Sequence, residues 1–171
     1  AGISGSSDVF YYRGPTSSIN FVTAHDGFTL TDLTMYSNKR NEANQEENRD
    51  GSNENRSWNM GVEGPTDDAA LMQLRHSLKK SMMATLLLSA GVPMITMGDE
   101  ICRTQAGSNN AYSMPRDMTP SIADSPETFM GGWANSWELN ELQRDMRDSV
   151  AELTRIRKTY LADVAAEFFT G

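Results

Sequence analysis

Apolar residues along the chain fall into short continuous runs and longer stretches with helical spacing. Two short runs, residues 19–24 and 92–97, predict buried strands. Residues 66–90 and 138–160 carry apolar side chains every three or four positions, which predicts two long amphipathic helices. Strands and helices that alternate in this order are typical of a parallel sheet, so the predicted fold class is α/β.

The first long helix has clear signals at both ends. Thr66, Asp67 and Asp68 offer side-chain oxygens to the free amides of its first turn, and Gly91 is suited to stop it. Its predicted buried stripe consists of Leu71, Leu74, Leu78, Met82 and Leu86. This helix is therefore the most strongly predicted element of the chain.

The remaining segments are shorter or less regular. Apolar residues at positions 30, 33 and 36 predict a short helix from Phe28 to Asn38. Residues 38–65 and 101–137 are rich in Asn, Ser, Gly and charged side chains, and they predict loops. A loop as long as 38–65 in a compact chain is usually functional or mobile, although a disordered or merely solvated segment is the alternative.

Composition excludes several classes of protein. The 171 residues carry a net charge of −8, which argues against a nucleic-acid partner, and no apolar run is long enough for a membrane helix. The single cysteine, Cys102, permits no intrachain disulfide, and no signal peptide opens the chain, so a cytoplasmic location is expected. Because the sequence starts without Met, we expect it to be part of a longer protein.

Acidic clusters follow both predicted strands. The first strand runs into His25, Asp26 and Gly27, and the second ends at Asp99 and Glu100. The carboxyl ends of neighbouring parallel strands meet at one edge of a sheet, where active sites of α/β proteins collect. These clusters are therefore the candidate functional site.

A metal centre is a weak interpretation of these clusters. A dinuclear phosphohydrolase needs several histidines, and the chain has only His25 and His76, the second of which is expected on the surface of its helix. The acidic loop 41–55 is likewise a poor EF-hand, because Ser57 stands where a bidentate Glu is required. A looser calcium site stays open in that loop, but no metal site and no cofactor are predicted.

Carboxylate chemistry is a stronger interpretation. The chain has no Gly-x-Ser-x-Gly motif, and Cys102 has no evident histidine partner. Asp26 with Asp99 or Glu100 could approach the paired carboxyl groups that glycoside hydrolases use. From the residues alone, an equally good interpretation is that Asp99 and Glu100 cap the following segment while His25 makes a structural contact.

Several strings of the sequence carry a resemblance to a known family. "FVTAHDG" resembles the seventh-strand motif of the α-amylase superfamily, and "GVPMITMGDE" resembles its eighth-strand motif. "NEANQEENRDGSNENRSWNMGVEGP", "GVPMITMGDEICRTQAGSNNAY" and the later "FFTG" are similar to bacterial glycogen-debranching enzymes of the isoamylase type. The resemblance implies the last two βα units of a (β/α)8 TIM barrel and retaining cleavage of α-1,6 branch linkages in glycogen or limit dextrin.

The resemblance also implies roles for individual residues. Asp26 matches the carboxylate that stabilises the transition state, and His25 matches the histidine that contacts the sugar. Substrate contacts are implied for four further residues: Asp99, Glu100, Arg103 and Asn110. The implied partner is an α-glucan, and no cofactor is implied.

The family's nucleophile and general acid lie on earlier strands that match no stretch of this sequence. A complete barrel also needs about 250 residues, so we expect a C-terminal fragment of the catalytic domain that is inactive alone. Residues 113–137 depart from the family pattern, and contacts there are not carried over.

Two other functions compete with the hydrolase. One is a non-catalytic α-glucan-binding module, and the other is a metal-dependent phosphohydrolase. An incomplete barrel would also expose strand edges, which predicts a homo-oligomer or aggregation through them.

Overall fold

The computed structural model describes residues 3–111, 138–163 and 167–169. Within these residues the chain forms three helices and two strands: helix α1 (Ser7–Phe10), strand β1 (Ile19–Asn20), helix α2 (Ala69–Leu87), strand β2 (Val92–Pro93) and helix α3 (Glu141–Ile156), which continues as a π-helical turn (Arg157–Leu161). Single 3-10 turns lie at Pro15–Ser17, Asp32–Thr34, Glu42–Asn44 and Asp99–Ile101. The predicted α/β class is confirmed. Residues 112–137, most of the second predicted loop, lie outside the described residues.

The two strands pair in parallel, as their sequence order implies. Ile19 lies opposite Val92 and Asn20 opposite Pro93. Each strand has two residues rather than the six predicted, and the bonds between them are donated by the amides on either side of Pro93: Val92 donates to the Ser18 carbonyl oxygen (2.9 Å) and Met94 to that of Asn20 (2.8 Å). The hydroxyls of Thr23 and Thr96 lie 3.0 Å apart, so the chains stay adjacent past the strand ends.

Helix α2 begins and ends within the predicted span 66–90. The Asp68 side chain accepts hydrogen bonds from the amides of Ala70 (2.8 Å) and Leu71 (3.2 Å), which starts the helix at Ala69. The predicted buried stripe is correct at Leu86 and wrong at Leu74, which is 54% exposed, while Met82 is partly buried against the core. The face that is buried carries Arg75, His76, Lys79, Met83, Leu86 and Leu87.

Polar contacts explain why basic side chains lie on the buried face of α2. Arg75 is buried and donates to the carbonyl oxygens of Gly64 (2.8 Å) and Asn59 (2.9 Å) in the preceding loop. These bonds orient the basic side chain inward against backbone that the apolar spacing does not reveal. The apolar spacing alone therefore misses the basic side chains of the buried face.

His76 is buried, contrary to the surface position expected for it. Its Nε2 lies 2.6 Å from Oδ2 of Asp145 on α3, and Nζ of Lys80 lies 2.9 Å from the same oxygen. The hydrogen bonds from His76 and then Lys80 lower the pKa of Asp145. This cluster fastens α2 to α3 at a polar point beside the apolar core.

The main apolar core lies between α2, α3 and the segments that follow the two strands. It consists of Leu30, Met83, Leu86, Leu87, Cys102, Met146 and Val150. A smaller cluster of Phe28, Met35 and Tyr36 lies next to residues 38–65, which we call the long polar loop and whose Gly64 amide donates to the Met35 carbonyl oxygen at 2.8 Å. Burial of these side chains stabilises the fold by removing apolar area from water.

The prediction of a short helix from Phe28 to Asn38 is wrong. Only a 3-10 turn forms there, at Asp32–Thr34. The segment is buried on all sides rather than along one stripe, since Thr31, Asp32 and Thr34 are as buried as Leu30. The Asp32 carboxylate accepts from the amide of Gln105 at 2.8 Å. That bond gives the buried Asp32 carboxylate a partner, and the backbone amides of Leu33 and Tyr36 still donate to the carbonyl oxygens of Thr29 and Asp32 at 3.0 Å.

Several apolar side chains on and beside the strands face outward. Ile19 is 61% exposed, and Phe21, Val92 and Met94 are also exposed. Within the described part of the chain, every helix is too short or too polar to cross a membrane.

Candidate active site

The segment from Thr23 to Leu30 carries the His25–Asp26 pair and is held at both ends by one carboxylate. Oδ2 of Asp99 accepts a hydrogen bond from the Thr23 hydroxyl, and Oδ1 accepts from the Leu30 amide at 3.0 Å. Asp99 follows β2, so it joins the loops after the two parallel strands. The segments that follow the two strands therefore meet at one edge, through Thr23, Leu30 and Asp99.

Asp99 is 1% exposed, and its surroundings perturb its ionisation. Burial raises the pKa of this carboxyl to about 6, even though the hydrogen bonds from Thr23 and Leu30 and the charge of Arg103 act in the opposite direction. Both oxygens already accept hydrogen bonds from the protein. In this structure Asp99 therefore positions the loop rather than facing a ligand.

His25 and Asp26 project from this loop into solvent. Their side chains are 80% and 84% exposed, and His25 Nε2 lies 3.4 Å from Asp26 Oδ2. The turn that presents them is fixed at Gly27, whose φ is 98° and whose amide donates to the Asn109 carbonyl at 2.8 Å. An exposed carboxylate on an anchored loop is available to a ligand.

A cleft of about 190 Å³ lies beside Asp26. One part of its lining comes from residues 21–24 and 26–28, and Leu33 contributes from the turn that follows. The other part comes from the long polar loop through Ser52, Glu54 and Asn55. The cleft thus combines apolar surface with hydroxyl, amide and carboxylate groups, which is the mixture that sugar rings require.

The other predicted contact residues lie outside this lining. Arg103 is buried and donates to Oε1 of Gln105 at 2.8 Å. Glu100 accepts from the Gly98 amide at 2.8 Å, and the Asn110 side chain donates to the Asp50 carboxylate. Of the six predicted site residues, Asp26 lines the cleft and His25 adjoins it.

Sequence reasoning did not single out Asn109, which connects the two sides of the cleft. Its carbonyl accepts from Gly27, and its Nδ2 donates to the carbonyl of Ser52 (2.7 Å) and to Oδ1 of Asn55 (2.6 Å). The only signal for it was the Asn-rich string "GSNNAY", which is equally typical of a turn.

One lysine side chain of the long polar loop is bound by backbone carbonyl oxygens of the same loop. Nζ of Lys39 donates to the carbonyl oxygens of Arg49, Asp50 and Gly51, so these oxygens are engaged by an ammonium group. Across residues 3–111, 138–163 and 167–169, no group of three or more His, Cys, Asp and Glu side chains is placed to hold a metal ion.

No family model matches the chain. The chain is 45% identical, over 99% of its residues, to a glycogen operon protein GlgX homolog from Mycobacterium tuberculosis, and it covers 22% of that protein. Over 67% of its residues it is 53% and 52% identical to proteins named glycogen debranching enzyme from Serratia proteamaculans and Escherichia fergusonii, and it covers 18% of each. The chain thus spans about a fifth of the length of the curated relatives that it matches.

The first long string that carried the resemblance contributes Ser52, Glu54 and Asn55 to the cleft. High identity along nearly the whole chain agrees with the resemblance. The resemblance is therefore confirmed: the chain is similar to a segment of bacterial proteins named glycogen operon protein GlgX homolog and glycogen debranching enzyme.

Proposed function

We propose that the chain contributes one side of the active site of a glycoside hydrolase that cleaves α-1,6 branch linkages in glycogen or limit dextrin with retention. The observation that carries this proposal is the exposed Asp26 on an anchored loop beside a cleft of sugar-binding composition. The names of the relatives support the same substrate class.

Asp26 is assigned the stabilisation of the transition state. Glycoside hydrolysis builds positive charge on the sugar ring in an oxocarbenium-like state, and a fixed carboxylate lowers the energy of that charge. The Asp99 and Asn109 contacts fix the loop beforehand, so Asp26 need not be reorganised during the reaction. His25, beside it and exposed, is assigned hydrogen bonds to sugar hydroxyls.

We further propose that β1 and β2 are the seventh and eighth strands of a (β/α)8 barrel. Parallel pairing with α2 between the strands supports it. The outward apolar side chains of Ile19, Phe21 and Val92 also support it, since neighbouring strands and helices of a barrel would cover them. In the isolated chain the same surface favours association with another copy.

The role of Asp26 is tested by an exchange of segments. The chain replaces the matching segment of the Escherichia fergusonii relative, and hydrolysis of a branched glucan is measured for the hybrid and for its Asp26→Asn variant. We expect kcat to fall about 10²- to 10³-fold, as for loss of one preorganised electrostatic group. Asp67→Asn, an exposed aspartate outside the cleft, is the matched control.

If Asp26→Asn leaves the rate of an active hybrid unchanged, the assignment is wrong. We also propose that the 171 residues alone do not hydrolyse branched glucan, since the resemblance assigns the nucleophile and the general acid to strands outside this sequence. Release of reducing ends above background by the purified chain would contradict this. A non-catalytic glucan-binding module would bind maltooligosaccharide, yet the hybrid would have no activity that depends on Asp26.

A further inference from the structure

The long polar loop supplies the side of the cleft opposite the Asp26 loop. Ser52, Glu54 and Asn55 line the same cavity of about 190 Å³ as Asp26. Glu54 is exposed, whereas the Asn55 side chain already accepts a hydrogen bond from Asn109. Glu54 is thus the second carboxylate of the cleft, beside Asp26.

Lys39 determines where this part of the loop lies. It is only 8% exposed, and its Nζ donates to the carbonyl oxygens of Arg49 (3.2 Å), Asp50 (2.7 Å) and Gly51 (2.9 Å). An ammonium group has three donors, and each finds a partner here. The bonds close the turn directly before Ser52, so this charge helps to set the direction in which the chain enters the cleft.

Two asparagines complete the support. Asn41 Nδ2 donates to the Asp50 carbonyl at 2.9 Å and to Oδ1 of Asn109 at 2.7 Å. Asn109 then binds both Ser52 and Gly27, which belong to opposite sides of the cleft. The spacing between the two sides is therefore fixed by a continuous set of hydrogen bonds that begins at Lys39.

We propose that Glu54 accepts hydrogen bonds from glucan hydroxyls opposite Asp26, and that Lys39 is the positioning residue that holds Glu54 in place. The identity of the ligand rests on the function proposed above. A carboxylate is a strong acceptor for sugar hydroxyls, and two carboxylates beside one cleft suit a neutral substrate that gains positive charge. The internal ammonium replaces the dissolved cation that such a carbonyl cluster would otherwise attract.

The role of Lys39 is tested first on the loop itself, with the purified 171-residue chain. Trypsin cleavage after Arg49 is compared for the wild type, Lys39→Met and Lys158→Met, in which an exposed lysine at the end of α3 is changed. We expect Lys39→Met alone to raise the cleavage rate about tenfold or more, with helix content by circular dichroism unchanged. Equal cleavage in all three proteins would overturn the positioning role.

The role of Glu54 is tested by binding of maltoheptaose to the same chain. Glu54→Gln is expected to weaken binding about tenfold, while Glu47→Gln, an exposed carboxylate of the same loop outside the cleft, leaves it unchanged. Lys39→Met should weaken binding as well, and adding Glu54→Gln to it should cause little further loss. Additive losses, or normal binding by Glu54→Gln, would overturn the coupling.

The outcomes separate this inference from the proposed function. If the wild type does not bind maltoheptaose, the glucan site fails, and trypsin cleavage still decides the role of Lys39. If Asp26→Asn impairs the hybrid enzyme but Glu54→Gln binds normally, the proposed function stands and the inference fails. If Lys39→Met does not fold, NMR of the wild type tests the role of Lys39 instead. A Lys39 ammonium resonance that exchanges slowly with water is expected, and a rapidly exchanging one would contradict the positioning role.

Discussion

Replacement of Asp99 by Asn should make the protein more stable at neutral pH and not at pH 4. The pKa of Asp99 is raised from 3.8 to about 6, chiefly by burial, so the folded protein holds a proton there that the unfolded chain releases. For an acid with a raised pKa, stability falls as pH rises from about 4 to about 6 and is level above that range. At 1.36 kcal/mol per pH unit the ionised carboxylate costs about 3 kcal/mol at pH 7.

Asn can keep the hydrogen bonds while removing the charge. Its oxygen can accept from the Leu30 amide, and its amide group can donate to the Thr23 hydroxyl, which now accepts. Asp99→Asn should therefore exceed the wild type in free energy of unfolding by up to about 3 kcal/mol at pH 7, and the gain should vanish near pH 4.

Urea denaturation followed by circular dichroism, at several pH values between about 4 and 7.5, measures this difference. Asp163→Asn, an exposed aspartate after α3, reports the effect of losing a surface charge. Asp145 and Glu63 have pKa values lowered from 3.8 and 4.5, so their contribution to stability begins to be lost near the acid end of the window, but both proteins share it and it cancels in the difference between them. A difference between Asp99→Asn and wild type that is constant across the window would refute the reasoning.

Two further substitutions probe the supports of the fold. Asp145→Asn weakens the bonds to His76 and Lys80 and should lower the free energy of unfolding by about 1 kcal/mol at pH 7. Urea denaturation measures this loss, which should disappear in acid because the wild-type carboxylate is then protonated. An unchanged midpoint would show that these bonds do not hold α2 against α3. Gly91→Ala should lower the free energy of unfolding by about 2 to 4 kcal/mol, because φ is 99° and the added Cβ would lie 2.9 Å from the Pro15 carbonyl oxygen. A thermal melting temperature equal to that of the wild type would contradict this clash.

Much of the element order was predictable because it rests on local patterns. The spans around 66–90 and 138–160 carry helical spacing and caps that act within a few residues, and both helices form inside them. The segments that follow the two strands also meet at one edge, as parallel pairing requires. Local chemistry was sufficient in these places.

The failures share a physical cause, which is long-range polar contact. Arg75 is buried because backbone carbonyls of the preceding loop accept its hydrogen bonds, and Asp32 is buried because Gln105 lies against it. Asp99 is a buried anchor rather than a ligand group for the same reason. Such partners lie far along the sequence, so periodicity and spacing cannot reveal them.

The short parallel strand pair has a consequence for how the chain folds. Thr23 and Thr96, just beyond the strands, are separated by 73 residues, so their pairing closes a large loop in return for very few backbone bonds. Helices α2 and α3, in contrast, can begin from contacts within single turns. Strand pairing should therefore come late in folding, and the Asp26 loop, which is anchored only once the strands meet, should be among the last parts of the molecule to become ordered.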